Sequence, residues 1–313
     1  MSNGGESATG ALGGAEFPLD VAAPGLGARP GSPVREAIRR LRASRTAVLG
    51  AAIVATLVLG AIGADVLAPG SPIESDQSQT FAPPSADHPL GTDQLGRDML
   101  SRVIHGSRVS LVVGVSSVIL ALGLGVPLGL IAGYLGGRVD GLVMRAMDLI
   151  LAFPVYLLAI IIMIMFTPTA GLLGTIKVVG AIAIVRVPIY ARLVRGSVLS
   201  IKEKEFIEAC RALGVRDGVI LLRHVLPNCL APIIVTTTLG IATAIIVEAT
   251  LSFLGLGTQP PTPSWGWDLK ANVAFIQANP WLSLFPGLAI FVTVLGFNLF
   301  GDGLRDALDP RLK

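Results

Sequence analysis

Six stretches of this chain stay apolar long enough to cross a bilayer as helices: about 47–68, 109–132, 146–166, 174–194, 229–250 and 283–300. Crossing roughly 30 Å of hydrocarbon takes about 20 apolar residues in a helix. No ten-residue pattern of alternating polarity repeats between these stretches, so helices are expected rather than the strands of a barrel. One interruption differs from the others. Between the fourth and fifth apolar runs lies "EKEFIEACRALG" at 203–214, dense in charge. A short helix is expected there, with Ser200 and Glu203 as a capping pair and Gly214 as a left-handed terminator. Phe206, Ala209, Cys210 and Leu213 recur at three- and four-residue spacing and make a narrow apolar stripe between charged flanks. A second short helix, "DGVILLRHVLP", follows and runs toward the fifth apolar stretch. Such a pair cannot enter lipid. Its stripe suits either docking in a partner's groove or packing on this chain's own helix ends.

Composition agrees with the pattern. Of 313 residues, 52% are hydrophobic and 14% charged, against about a quarter charged in soluble domains. Residues 1–33 are rich in Gly, Ala and Pro and lack the basic start and early apolar run of a cleavable signal, so a disordered tail is expected. Next comes "VREAIRRLRASRTAV", basic and weakly amphipathic, suited to an anionic membrane surface. Nucleic-acid binding by this polybasic stretch competes with that reading, but an apolar span follows at once. With the N-terminus inside, segments 1–46, 133–145, 192–228 and 301–313 hold 18 of the 24 Lys and Arg. Five fall outside: Arg97, Arg102, Arg108, Lys177 and Lys270. This bias places both termini in the cytoplasm. Trp265, Trp267 and Trp281 share one outer loop, where they either anchor at the interface or pack the loop.

Several chemistries are absent. Cys210 and Cys229 form no C-x-x-C and share no metal-ligand spacing with His88, His105 or His224, so no metal is expected and both cysteines read as small buried residues. No Gly-Lys pair exists, which excludes a P-loop, and neither a nucleophile elbow nor H-E-x-x-H occurs. Gly125, Gly129 and Gly133 repeat every four residues inside a span, a pattern for close helix packing. Asp148, Arg186 and Glu248 are charges within or near spans and are candidates for a translocation path. Asp148 and Glu248 serve equally well as capping or loop-facing groups, and Arg186 as half of an ion pair. Pro188, beside Arg186, fits a gating segment or a packing kink. The segment "GTDQLGRD", with Asp93, Arg97 and Asp98, reads as exposed and charged, an outer gate or a seat for a binding protein, against simple loop folding.

One resemblance is specific. "EACRALG", nine residues and then "HVLP" resembles the EAA loop of ABC-importer permeases. Glu208, Ala209, Gly214, Leu226 and Pro227 match that pattern, Cys210 replaces a second alanine, and His224 stands where the family has an aliphatic residue, as in its dipeptide and oligopeptide subgroup. "HPLGTDQLGRDMLSRVIHGSRVSL" at 88–111, "MDLILAFP" at 147–154, "VEATLSFLGLGTQPPTPSWG" at 247–266 and "FNLFGDGLRDALDPRL" at 297–312 resemble the same subgroup. The chain thus looks like the C-type permease subunit of a peptide importer, and nickel permeases share nearly the same pattern.

The resemblance implies an all-α polytopic fold of the type I importer kind, with six transmembrane helices, in a bacterial inner membrane. It divides the chain into a tail at 1–33, an amphipathic helix, first span and outer segment at 34–105, a permease domain at 106–304 with its coupling loop near 200–227, and a short tail at 305–313. It also implies the partners: a second, B-type permease, two ABC ATPase subunits or domains, an extracytoplasmic substrate-binding lipoprotein, membrane lipid and peptide cargo, with no nucleic acid. No cofactor is expected in this chain, because ATP and Mg²⁺ belong to the ATPases. Glu208 would fix the loop helix, Gly214 would allow its turn, and Pro227 would end the second helix. A secondary transporter would need inverted repeats, and none is visible. An intramembrane enzyme would need a nucleophile that the sequence does not offer.

Overall fold

The computed structural model describes residues 33–166 and 170–308. Among these, secondary structure is helical apart from a single bridge between Thr92 and Asp98. The tail expected at 1–33 lies outside the described residues except for Pro33, and the end of the C-terminal tail, 309–313, lies outside them too.

The chain opens with the basic helix α1 (Pro33–Ala43). Ser44 then caps α2 (Arg45–Ile62), its hydroxyl accepting from the amide of Ala47 at 3.3 Å. A single turn, α3 (Ala64–Leu67), leads into a long loop, and α4 (Met99–Leu135) follows. At 1.5 Å per residue α4 is about 55 Å long, more than a bilayer core requires. Its two ends mark the two ends of the bundle. After α4 come α5 (Gly137–Leu151), α6 (Val155–Met165), α7 (Gly171–Lys202), α8 (Glu205–Ala212), α9 (Asp217–Val219), α10 (Leu226–Phe253), α11 (Trp265–Asn272) and α12 (Trp281–Leu308).

The helices α2, α4, α7 and α12, and the run Asp217–Phe253, are each long and apolar enough to cross a membrane. The third expected span is not one straight helix. α5 and α6 together supply its apolar residues, but they meet at 87°. Proline at 154 explains the break, since it donates no backbone hydrogen bond and disfavours a helical residue before it, so α5 ends and α6 starts with Pro154 as cap.

Close packing was expected of the four-residue glycine repeat, and it is present. A Cβ on Gly125 would lie 2.7 Å from the Val187 carbonyl, one on Gly129 would collide with the Ala191 carbonyl, and one on Gly133 would lie 2.8 Å from the Cβ of Val198. α4 and α7 therefore touch backbone to backbone and form the spine of the fold. Gly50 and Gly303 do the same between α2 and α12, against Phe300 and Ala47. Outward, Leu59, Ile119, Leu142 and Leu172 stay exposed, as a lipid-facing surface requires. Together these features make an all-α, polytopic membrane protein.

Candidate functional site

At the end of the bundle where α4 finishes, α7 stops at Lys202 and the chain folds into α8. Ser200 is still inside α7, so it does not cap the next helix; Lys204 occupies that place. The expected stripe divides. Ile207, which the stripe omits, is fully buried and packs with Cys210, Val194, Val198, Ile201 and Ile220, so this face holds α8 to its own chain. Phe206, Ala209 and Leu213 face outward, Leu213 with 82% of its surface free. Glu208 is also exposed. Gly214 adopts φ +74°, the left-handed conformation expected of a helix terminator, and its amide donates to the Arg211 carbonyl at 2.9 Å.

Beyond Gly214 the structure departs from expectation. Pro227 does not end the second helix: α9, one π-helical turn over Ile220–Val225 and α10 run on as one rod. The wide turn has a local cause, because Pro227 cannot donate to residue 223 and its ring crowds that carbonyl. His224 sits in this turn half-buried, and Leu226 packs inward with Cys229, which is buried as expected. Leu222 is 63% exposed and lies with Val219, Arg216 and Arg223 around an open depression of about 520 Å³. The Tyr134 hydroxyl at the end of α4 donates to Asp217 at 2.5 Å, and Arg211 lies 5.6 Å from the Tyr134 ring centroid. The loop is thus tied to α4 and α7, and it presents Phe206, Ala209, Leu213 and Leu222 outward.

At mid-span, Arg186 of α7 is 7% exposed. Its Nη1 donates to Thr243 Oγ1 of α10 at 2.6 Å. It borders a groove of about 380 Å³ formed by Val155 and Tyr156 of α6, Val185 and Ile189 of α7, and Thr236, Gly240 and Val247 of α10. A second groove, of about 410 Å³, shares Thr236 and Leu239 with the first and reaches Arg305 near the end of α12. Asp148 stands apart from Arg186: it pairs with Arg192 between α5 and α7, both half-exposed. One turn further along α7, Arg195 Nε and Nη2 reach the two Asp140 oxygens at 2.5 and 2.6 Å.

Glu248 does not face a passage. It is wholly buried and accepts from Ser252 at 2.7 Å, Ser264 at 3.0 Å and Ser110 at 3.3 Å, which binds α10 to α4 and to the loop before α11.

The segment expected to be exposed at 91–98 is also largely buried, with Leu95 the exposed residue within it. Asp93 is 1% exposed and accepts from the amides of Leu95 and Arg97 at 2.9 and 3.0 Å and from Arg97 Nε at 2.7 Å. Asp98 caps α4 through the amide of Ser101 at 2.7 Å and meets His88 Nδ1 at 3.0 Å. These charges are consumed in folding the loop. Arg102, buried beside them, pairs with Asp268 of α11 and donates to the Pro72 carbonyl at 2.8 Å. Asp65, on the surface nearby, is held below the usual carboxylate range by hydrogen bonds from Arg108 and His105. Trp265 packs inside the loop with its indole N–H on the Val103 carbonyl at 2.8 Å, so for this ring loop packing prevails over interfacial anchoring.

Comparison with known proteins gives consistent matches along the chain. Residues 125–313 match the family "binding-protein-dependent transport system inner membrane component", and residues 32–84 match the "N-terminal TM domain of oligopeptide transport permease C". The dipeptide transport system permease protein DppC of Alkalihalophilus pseudofirmus is 49% identical over 90% of this chain and 91% of its own length. The di/tripeptide permease protein DppC of Pseudomonas aeruginosa is 43% identical over 90% and 93%. The glutathione permease protein GsiD of Pectobacterium atrosepticum is 44% identical over 90% and 92%.

Proposed function

Because the chain belongs to the family of binding-protein-dependent transport system inner membrane components, we propose that it is the C-type permease of an ATP-driven importer of di- and oligopeptides. It pairs with a second permease to form the path and takes its drive from two cytoplasmic ATPase subunits, which bind ATP and Mg²⁺ and carry out the hydrolysis. An extracytoplasmic binding protein delivers the cargo at the α11 end. Both termini and α8 lie in the cytoplasm. The named cargoes of the relatives, dipeptides, di- and tripeptides and glutathione, support small peptides over nickel.

The observation that carries the reading is the split of α8. Ile207 and Cys210 fasten it to the span helices, while Phe206, Ala209, Leu213 and, beyond the turn, Leu222 stand free in a loop too polar for lipid. A short helix fixed on one side and apolar on the other transmits movement when a partner's groove takes the free side. The ATPases can bias the path only through contacts that differ between their open and closed states. The anchored face passes that bias to α4 and α7, and Glu208 sets the charge of the docking rim.

Two variants test this. Leu213→Asp puts a charge on the free face, and Gly214→Val forces a β-branched residue into the left-handed conformation at about 1–2 kcal/mol. Neither site packs against the spans, since Leu213 is exposed and nothing lies within 4 Å of a Cβ on Gly214. Both variants are expected to reach the membrane in normal amount and to lose at least about tenfold in ATPase co-purification, the loss expected when a docked apolar anchor is replaced by a charge. Full ATPase retention with full uptake in both would show that α8 is not the coupling element.

A further inference from the structure

Arg186 differs from the other arginines that the fold buries or half-buries. Arg97, Arg102, Arg108, Arg192 and Arg195 each meet an aspartate, and Arg40 a glutamate. Arg186 lies about midway along α7 and, among the described residues, has no carboxylate within ion-pair distance. A charged side chain at the middle of a span costs roughly 2.5–3.5 kcal/mol on insertion scales and is normally offset by a counter-charge. The guanidinium carries five donors, Thr243 takes one, and the buried Nε has no partner. The Tyr190 hydroxyl, one turn on, is buried beside the guanidinium. Both head groups fit because residue 240 is glycine: a Cβ there would lie 2.9 Å from Arg186 Nη2 and 2.5 Å from Tyr190 Oη. The result is an oriented cation on a groove, held by Thr243, with donors unspent.

We propose that Arg186, steadied by Thr243, receives the carboxylate of the peptide cargo as it passes mid-membrane. The assignment rests on the peptide-import reading above. Small peptides differ in their side chains but share a free carboxylate, so a grip on that group serves cargo of varied sequence. The guanidinium fork suits a carboxylate in two-point contact, which an ammonium cannot match. An acid from the second permease is the competing occupant. The groove beside Arg186 shares Thr236 and Leu239 with the one that reaches Arg305, and two grooves lying along α10 favour cargo as the occupant.

The test compares ATP-driven uptake of Ala-Ala with that of alanyl-alaninamide by the complete importer, at concentrations that saturate the binding protein for each. Arg186→Gln is expected to cut the ratio of free-acid to amide transport by at least about tenfold, the scale for losing a buried charge-assisted contact. Complex assembly and basal ATPase activity should be unchanged. Arg186→Lys should fall between, and Gly240→Ala, which displaces the fork but keeps the charge, should lower the ratio as well. If the amide is not carried by any form, loss of Ala-Ala uptake in an intact Arg186→Gln complex, with partial return in Arg186→Lys, carries the same meaning. An unchanged ratio, or unchanged Ala-Ala uptake, overturns the proposal. Failure of Arg186→Gln to assemble while Arg186→Lys assembles with wild-type selectivity assigns Arg186 to a partner acid and also overturns it. If the wild-type complex carries neither compound, the peptide reading itself is what has failed.

Discussion

Replacing Glu248 with alanine removes the acceptor shared by three buried serine hydroxyls. Each buried polar group left unsatisfied costs about 1–3 kcal/mol, so Glu248→Ala should lower the thermal midpoint of the solubilised complex by several degrees and reduce its yield. Glu248→Gln keeps an oxygen that can accept from Ser252 and Ser264 and should be close to wild type in both stability and uptake. Loss of uptake in a stable Glu248→Gln complex would mean that the negative charge acts in transport and that the structural account of this residue is wrong. The sequence supplies Glu248 as a charge in a span, with Ser252 one turn on; it cannot supply Ser110 and Ser264, which come from 138 residues before and 16 after. The same limit applies at 91–98. Asp93, Arg97 and Asp98 look exposed in the sequence because their partners are one another, backbone amides and His88, and self-neutralising loops bury their charges. Arg186, by contrast, is legible as a span charge because no acid among the described residues pairs with it.

Elements reveal a second kind of legibility. The glycine repeat of α4 marks its buried face by spacing alone, and a matched pair of substitutions on that helix tests whether it does so for the stated reason. Gly129→Leu drives a side chain into the Ala191 carbonyl and toward the Cβ of Val194 at 2.9 Å, whereas Gly123 is exposed with nothing within 4 Å. Gly129→Leu should cost about 1–3 kcal/mol or more and deplete the protein from membranes. Gly123→Leu should stay within about 0.5 kcal/mol of wild type. Equal yields for both would contradict backbone contact between α4 and α7. Helix breaks are harder to read. Pro154 divides α5 from α6 at 87°, while Pro188 sits inside a continuous α7 and Pro227 merely widens a turn. Proline is a local cause whose effect depends on whether neighbouring helices hold the backbone straight. The apolar stripe of α8 was partly legible for a similar reason: Ile207 is one position off the chosen spacing, and only the packing of α7 and α10 shows which side faces home.

At the scale of the molecule, five of the six expected spans and the charged loop near 203–227 are clear from the sequence, because membrane composition leaves few alternatives for a polar helix between spans. The chain has a groove walled by α6, α7 and α10, an apolar loop face without a lid, and no residues able to bind ATP by a P-loop. On the proposed reading, this chain moves peptide only as part of an ATP-driven assembly. The most direct measurement is accumulation of Ala-Ala in vesicles reconstituted with both permeases, with the ATPases on the α8 side and the binding protein on the other. Uptake is expected to require ATP and to stop when this chain is omitted. Uptake by this chain alone, driven by a proton or sodium gradient without ATP, would contradict that reading.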